Sequence, residues 1–486
     1  MASIDWMPWS AAAFARARAE QRPVLLFIGA PWCAATLEMA RATYEDPIVA
    51  ALIRDCFVPV RVDADRRPDI AERYALGGYP TTAFLDAGGA IVGGGTFLPV
   101  DRMRDALART ASAFASRRDE IAGRSAPRHE PAPSAAADPS DDDLLALTFA
   151  SVDDEHGGFG TGPKFPLAAP IELALSRHRE SRDVRMARIV ETTLDAMGWG
   201  PLYDEVDGGF FRCAAERDWR EPRREKLLDV NASLLRLYLD ACTTLKIARY
   251  AERAADIVRY VQTHLADQAD GGWAGSQAAD DDYYAMSSEG RSARAAPATD
   301  WTFYAGANAA MASAMLQASA ILGDTGLGEF AMRSLERVLL AVYRPGEGVA
   351  HYLDDGHALV RGLLDDQIAM ASAQLDAYDA TGNIVYEMMA QELAHYTLRT
   401  MWDESGGAFF DRAEADQAER VGLMAARLKP FAANCEAARV LRRLAQVTGD
   451  RQFAERADAT LSSCRRAAAG HGPLAAHFLL ARQAPA

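Results

Sequence analysis

The sequence predicts two domains of different class: an α/β domain over residues 1–112 and an all-α ring of helical hairpins over residues 143–486, joined by a linker over residues 113–142. Three observations carry this. Strand-length apolar runs alternate with helical segments up to Ala108. From Ser116 to Asp143 all periodicity is lost, and four prolines stand among Ser and Ala. Beyond Asp143 strand signals almost vanish, helical periods take over and a Gly-Gly-aromatic motif recurs.

In the first domain Ala11–Glu20, rich in Ala with Arg and Glu, reads as a helix. Pro23–Ile28 is an apolar strand bounded by Pro23 and Gly29, after which Gly29–Met39 turns into a helix. Phe57–Val62 is a second strand and Asp69–Tyr74 a second helix. Tyr79–Leu85 leads into a third strand, Ala90–Val92 gives a fourth, and Asp101–Ala108 is a closing helix. Strand–helix–strand, then a hairpin and a helix, is the thioredoxin order.

The stretches Met39–Asp46, Val62–Ile70, Gly77–Leu85 and Gly94–Pro99 resemble the thioredoxin-domain proteins related to spermatogenesis-associated protein, which carry a C-terminal six-hairpin domain. Members of that family usually hold two cysteines flanking His-Trp. Here the run is Cys33-Ala34-Ala35-Thr36, so the first cysteine is kept and Thr36 replaces the second. Thr36 supplies no resolving thiol. Cys33 is expected at a helix N-terminus, where N–H groups and the helix dipole favour the thiolate. Tyr79-Pro80 is expected to form a cis-proline loop opposite it, with Trp32 and Tyr79 as ligand contacts. The implied chemistry is monothiol, by mixed-disulfide formation or capture of a thiol-bearing ligand. The bland alternative is that Cys33 is a remnant in a domain kept for binding.

In the second domain Ala187–Met197, Asn231–Ala241, Ala305–Leu322, Ala369–Thr381 and Ala432–Thr448 carry apolar residues at helical spacing, several ending in Gly-Asp or Thr-Gly. Gly158, Gly209, Gly272, Gly348 and Gly407 mark repeat copies 51, 63, 76 and 59 residues apart, the length of a helical hairpin. The glycines permit positive φ, and the aromatic that follows either plugs the core or lines a cavity. Hairpins that close on themselves make an α/α toroid, the (α/α)6 six-hairpin glycosidase-like fold that the family resemblance also implies. Gly157–Pro166, Gly208–Arg212, Glu225–Ala232, Leu363–Asp366 and Lys429-Pro430 match motifs of that family.

The fold is shared by glycoside hydrolases and sugar 2-epimerases, although a fold alone is weak warrant for function. Candidate catalytic acids are Glu225, Asp365 and Asp366, a pair of which would serve glycosidic cleavage. Candidate ligand contacts are Phe159, Lys164, Phe165, Lys226, Asn231, Trp301 and Lys429. Epimerisation needs a base, typically His, yet Arg223-Arg224 stand where the family usually has His-Phe, and Asp229-Val230-Asn231 where it has Tyr-Asp-Asn. Structural alternatives stand beside each: Asp365-Asp366 capping a helix that starts at Gln367, Glu225 and Lys226 as an ion pair between hairpins, and the Gly-Gly-aromatic copies as loop architecture.

A net charge of -16 argues against nucleic acid as a partner, Arg217–Lys226 being the densest basic run. None of the six cysteines is spaced CxxC, and no Cys/His cluster has zinc-ligand spacing, so no metal and no cofactor is expected. Sparse free thiols and the absence of a secretory h-region or bilayer-length span point to the cytoplasm rather than a membrane. The expected function is a thiol-redox or thiol-binding role, with the toroid holding an unknown small molecule or a thiol-containing protein. The alternatives are a carbohydrate-active enzyme, hydrolase or epimerase-like, working in the toroid cavity, and a non-catalytic scaffold.

Overall fold

The computed structural model describes residues 4–116, 138–414 and 419–483. The predicted linker falls mostly outside these, at residues 117–137. Two compact units result: Met1–Ala132 with Glu414–Leu428, and Pro133–Ala413 with Lys429–Ala486.

The first unit runs α1 (Ala11–Glu20), β1 (Val24–Gly29), α2 (Ala34–Glu38) continuing as a π-turn over Met39–Thr43, α3 (Pro47–Cys56), β2 (Val58–Asp63), α4 (Pro68–Tyr74), β3 (Thr81–Leu85), β4 (Ile91–Gly95) and α5 (Val100–Ser116). The sheet order is β2-β1-β3-β4, with β1 parallel to β2 and antiparallel to β3. Every residue of β1 is buried, as a strand covered on both faces requires. Leu25, Phe27 and Phe84 pack with Val49, Ile53, Met103 and Leu107 in one core. Helix α3 is missing from the expectations above, although its start is written in the sequence: Asp46 accepts from the Ile48 and Val49 N–H groups, and Pro47 takes the first helical turn.

Glu414–Leu428, expected in the toroid, joins the first unit instead. Tyr74 Oη accepts from Leu423 N at 2.8 Å and donates to Gly89 O at 2.7 Å, while Arg73 donates to Ala426 O at 2.8 Å. Gly89 has φ 88°, and a Cβ there would lie 2.8 Å from the Gly422 Cα, so no side chain fits.

The second unit is all helical hairpins. Its helices are α6 (Asp141–Thr148), α7 (Ala168–Ser181), α8 (Val184–Gly198), α9 (Leu228–Leu245), α10 (Ala248–His264), the short α11 (Asp281–Tyr284) and α12 (Ser288–Ser292), α13 (Ala305–Leu322), α14 (Thr325–Val342), α15 (Leu364–Thr381), α16 (Ile384–Thr400), α17 (Phe431–Thr448), α18 (Arg451–Ala468) and α19 (Ala476–Gln483). Helices α7, α9, α13, α15, α17 and α19 touch in that order, and α19 returns to α7, closing an inner ring. Outside them lie α8, α10, α14, α16 and α18, with α6 beside α19 as the sixth partner. The tight turns repeat one device: a left-handed residue (Arg182, Gly323, Gly382, Gly449) is followed by a capping Asp or Asn (Asp183, Asp324, Asn383, Asp450).

Every link from an outer to an inner helix lies at the other end of the ring, and four of these links contain the repeated motif. In each, an aspartate backbone carbonyl (Asp153, Asp204, Asp267, Asp403) accepts from the N–H of one glycine of the motif. A cation closes the turn: Lys164 on Asp153 at 2.9 Å, Lys226 on Asp204 at 2.7 Å, Arg337 on Asp267 at 2.9 Å and Lys429 on Asp403 at 2.5 Å. The next inner helix then grips the buried aromatic. Asn231, Asn308 and Asn434 each accept from the N–H and donate to the C=O of Phe210, Trp273 and Phe409 respectively. Gln367 does the same to Val349. Of the two roles open to the aromatic, plugging the core is the one adopted. Short strands also appear in these links, as in the Gly348–Asp354 and His357–Arg361 hairpin.

Candidate functional site

In the first unit Cys33 is the N-cap residue of α2, and its Sγ–H donates to the Tyr79 carbonyl oxygen at 3.7 Å. The Tyr79-Pro80 peptide is cis. Trp32 meets the Tyr79 ring edge-on at 6.3 Å and donates from Nε1 to Asp65 Oδ2 at 2.6 Å. Trp32, Cys33, Tyr79 and Pro80 are thus brought together. Cys33 is 7% exposed, so its thiol is nearly covered. Thr36 lies one turn further into α2, 2% exposed, with a hydroxyl that has no hydrogen-bond partner.

In the toroid the inner helices carry a polar line on an apolar body. The residues that water reaches include Asp229, Ser233, Arg236 and Asp240 on α9, Asp365, Ala369, Ser372 and Asp376 on α15, and Ala432, Glu436, Arg439 and Arg443 on α17. Their steps of four, three and four residues describe one helix face. Helix α13 presents Gly306, Ala310, Ser313 and Gln317 at the same steps.

The bonds these residues make show where that face points. Arg439 of α17 donates to Glu172 of α7 at 2.7 Å, and Arg236 of α9 lies 3.7 Å from Asp376 of α15. Each pair skips one helix of the ring, so the side chains meet inside its lumen. Arg443 bonds Asp376 at 2.8 Å and Gln317 donates to Asp240 at 2.6 Å. His477 Nδ1 stands 2.9 Å from Glu436 Oε1, beside Arg439.

Burial would raise Glu436, but Arg439 and His477 outweigh it and hold the carboxyl at about 2. Asp376 is likewise kept below the ordinary range by Arg236 and Arg443 despite its burial. Asp229, at the start of α9, is exposed to water yet surrounded by protein on its other sides, which raises its carboxyl, with Val230 N–H and Arg212 only partly offsetting the shift.

Beside this opening, His351 Nδ1 lies 2.9 and 3.1 Å from the two Asp366 oxygens, one of which also accepts from Gly306 N at 3.2 Å. A carboxylate only accepts, so Nδ1 carries the proton and Nε2 is the basic nitrogen of the neutral ring. Tyr304 packs on His351 with ring centres 5.5 Å apart.

The expected toroid residues separate into two groups. Asp365 is exposed at the inner-helix start, Asp366 holds His351, and Trp301 and Phe165 are 51% and 48% exposed. Lys164, Lys226 and Asn231 are wholly buried in the repeat turns, Phe159 is in the core, and Lys429 is held by Asp403. Glu225 and Lys226 do not pair with one another: Glu225 binds Arg212 at 2.6 Å, and Lys226 binds Asp204. Adjacent residues of an extended segment point to opposite sides, which separates them. Nor do Asp365 and Asp366 cap a helix starting at Gln367, because α15 begins at Leu364 with Leu363 as its N-cap residue. His351, Asp229, Glu436 and His477 were not among the candidates; the signal for Asp229 and Glu436 was a polar line on an otherwise apolar helix.

The described architecture is a thioredoxin-like α/β domain followed by a six-hairpin (α/α)6 toroid. Residues 1–128 match the family model Thioredox_DsbH, described as a protein of unknown function, DUF255. The chain is similar to human spermatogenesis-associated protein 20, 27% identical over 300 residues, a match covering 55% of this chain but 38% of that protein. The toroid is similar in fold to cellobiose 2-epimerase from Spirochaeta thermophila, with TM-score 0.54 and 13% identity over 70% of this chain and 95% of that one. A GH76 α-mannanase from Bacteroides thetaiotaomicron gives TM-score 0.50 at 10% identity over 70% and 94% of the two chains. At such identities the likeness shows the fold alone. No helix among the described residues is long and apolar enough to cross a membrane.

Proposed function

We propose that the toroid binds a sugar at the open end of its lumen and acts on it by acid–base chemistry. The observation that carries this is the polar line shared by α9, α15 and α17, which ends at the opening in Asp229 and Asp365 beside the His351–Asp366 pair. Asp229, exposed at the start of α9 with its carboxyl shifted upward, is suited to deliver a proton. His351, oriented by Asp366, is suited to accept one at Nε2. In hydrolysis the acid protonates the leaving oxygen while the base activates water; in epimerisation the base removes the proton beside a carbonyl. The fold likeness to an epimerase and a mannanase supports the substrate class, and no more than the class.

The test is calorimetric titration of the whole chain with a panel of mono- and disaccharides, with products followed by NMR. Asp229→Asn is expected to lower turnover about 10²–10⁴-fold while leaving sugar affinity nearly unchanged. Unaltered turnover in that variant removes Asp229 from the chemistry, and a panel in which nothing binds the wild type sinks the reading.

A second reading belongs to the first unit, favoured by the Cys33 thiol lying against the Tyr79 carbonyl at the cis-proline loop. There Cys33 exchanges with a partner disulfide: its thiolate attacks one sulfur, a mixed disulfide forms, and the other sulfur leaves as a thiolate that takes up a proton. With oxidised glutathione, wild type is expected to gain one glutathione at Cys33 by mass spectrometry, and Cys33→Ser none there. Equal labelling of the other cysteines with Cys33 untouched would overturn it.

A further inference from the structure

We propose that the toroid lumen is a blind pocket that takes the end of its ligand and cannot thread a chain; this deepens the sugar-binding reading given above. The inner-helix lines can be followed layer by layer from the opening. The first layer is Asp229, Gly306, Asp365 and Ala432, and the second is Ser233, Ala310, Ala369 and Glu436. On α13 and α15 the second-layer residues are Ala310 and Ala369, both reached by water, so the wall there is made of short side chains.

The third and fourth layers are different. Asp376 of α15 holds both Arg236 of α9 and Arg443 of α17, so these two opposite helices are bridged across the lumen, while Arg439 joins α17 to Glu172 of α7 and Gln317 closes onto Asp240. These groups hold one another: Asp376 has both Arg236 and Arg443, and Arg439 has both Glu172 and Glu436. Displacing Asp376 or Arg439 would separate each from two partners at once, so the floor resists displacement by a ligand. From the first layer to the third is seven residues, or about 10 Å at the helical rise. That depth suits a disaccharide-sized ligand, with its terminal unit at the Asp229 and His351 level or just below. A polymer passing along the axis would have to break the Arg236–Asp376–Arg443 bridge.

The first test needs no ligand. Ala369→Cys places a thiol in the second layer, and its alkylation by iodoacetamide in the full chain is read by peptide mass spectrometry. Adding Ala432→Trp at the opening is expected to slow that alkylation about tenfold or more, since access controls reactivity. An unchanged rate means that reagent arrives from the far end, and the blind pocket is refuted. Gln317→Ala with Arg236→Ala, which opens the floor, is expected to restore the rate when added to the Ala369→Cys, Ala432→Trp chain, and failure to restore it counts against this floor.

The second test uses linear β-1,4-gluco- and α-1,6-manno-oligosaccharides of increasing length, with β-cyclodextrin as a saccharide without ends. Affinity is expected to rise to the disaccharide and then change by less than about twofold, with no binding of the ring. Affinity that keeps climbing with length overturns end-on binding. If none of these saccharides binds, the sugar reading falls, while the alkylation result still decides whether the lumen is closed.

Discussion

Asp204→Ala is expected to destabilise the helical domain by about 3–5 kcal/mol, the scale for removing one partner of a buried ion pair. Asp204 receives Lys226 at 2.7 Å and Arg291 through both of its terminal nitrogens at 2.7 and 2.9 Å. Lys226 is wholly buried, and its ammonium also sits among the rings of Phe211, Tyr260 and Tyr284, 4.3 to 5.3 Å from their centres. Burial pushes that ammonium down, to about 8, against the pull of Asp204, so it remains charged at neutral pH. Without Asp204, two cations would stay enclosed without their shared carboxylate. Differential scanning calorimetry should show the toroid transition falling by about 4–7 °C, and a loss under about 1 kcal/mol would mean that water reaches the site and screens it.

The same residue gives the acid response its sign. Burial would raise the Asp204 carboxyl, but Arg291 and Lys226 outweigh it and hold it below its unfolded value. Folding therefore draws stability from the ionised form, fully present above about pH 4, the unfolded carboxylate range, and lost as pH falls below it. Asp153 and Asp267 in the sister turns are shifted the same way, each by its cations and turn N–H groups against burial. Acid unfolding of wild type should thus be steep, and Asp204→Ala should flatten it.

Thr36→Cys is expected to convert the single thiol into a dithiol that closes to a disulfide. An N-cap side chain reaches over the backbone of the residue three further on, and a disulfide there needs Cβ atoms at about 3.5–4.5 Å and Cα atoms at about 4.4–6.8 Å. Thr36 is that residue for the N-cap Cys33, buried, with its hydroxyl bonded to nothing. Its methyl fills the space over Gly29, where a Cβ would come within 2.5 Å of Thr36 Cγ2. A cysteine loses only that methyl and an unpaired hydroxyl. With oxidised glutathione the two thiols should give one intramolecular disulfide and two reduced glutathiones. Insulin reduction with dithiothreitol as reductant should rise at least about tenfold over wild type, and Cys33→Ser in the same chain should return it to background. A Thr36→Cys protein that stays reduced in that buffer would show that the domain has lost the geometry as well as the thiol.

Much of this was legible before any coordinates. The thioredoxin order followed from apolar runs of strand length, because a strand buried on both faces must be continuously apolar, and β1 is. The hairpin ring followed from repeated glycine pairs, since the turn they make needs positive φ at Gly157, Gly158, Gly208 and Gly209. Even α3 was written in Asp46-Pro47, a local signal passed over.

The rest depended on partners remote in sequence. Lys164, Lys226 and Lys429 look alike as ligand-binding lysines, and nothing in their neighbours says that each closes onto an aspartate 11, 22 or 26 residues earlier. The pairing of Tyr74 with Leu423 spans 349 residues. His351 meets Asp366 only when the strand carrying it is laid beside the start of α15. Sequence alone determined the long helices, the strands of the first domain and the glycine turns of the repeat, because those depend on local backbone preference and period. Tertiary structure decided which polar residues serve the scaffold and which face the lumen, because burial and ion pairing are properties of distant segments brought together.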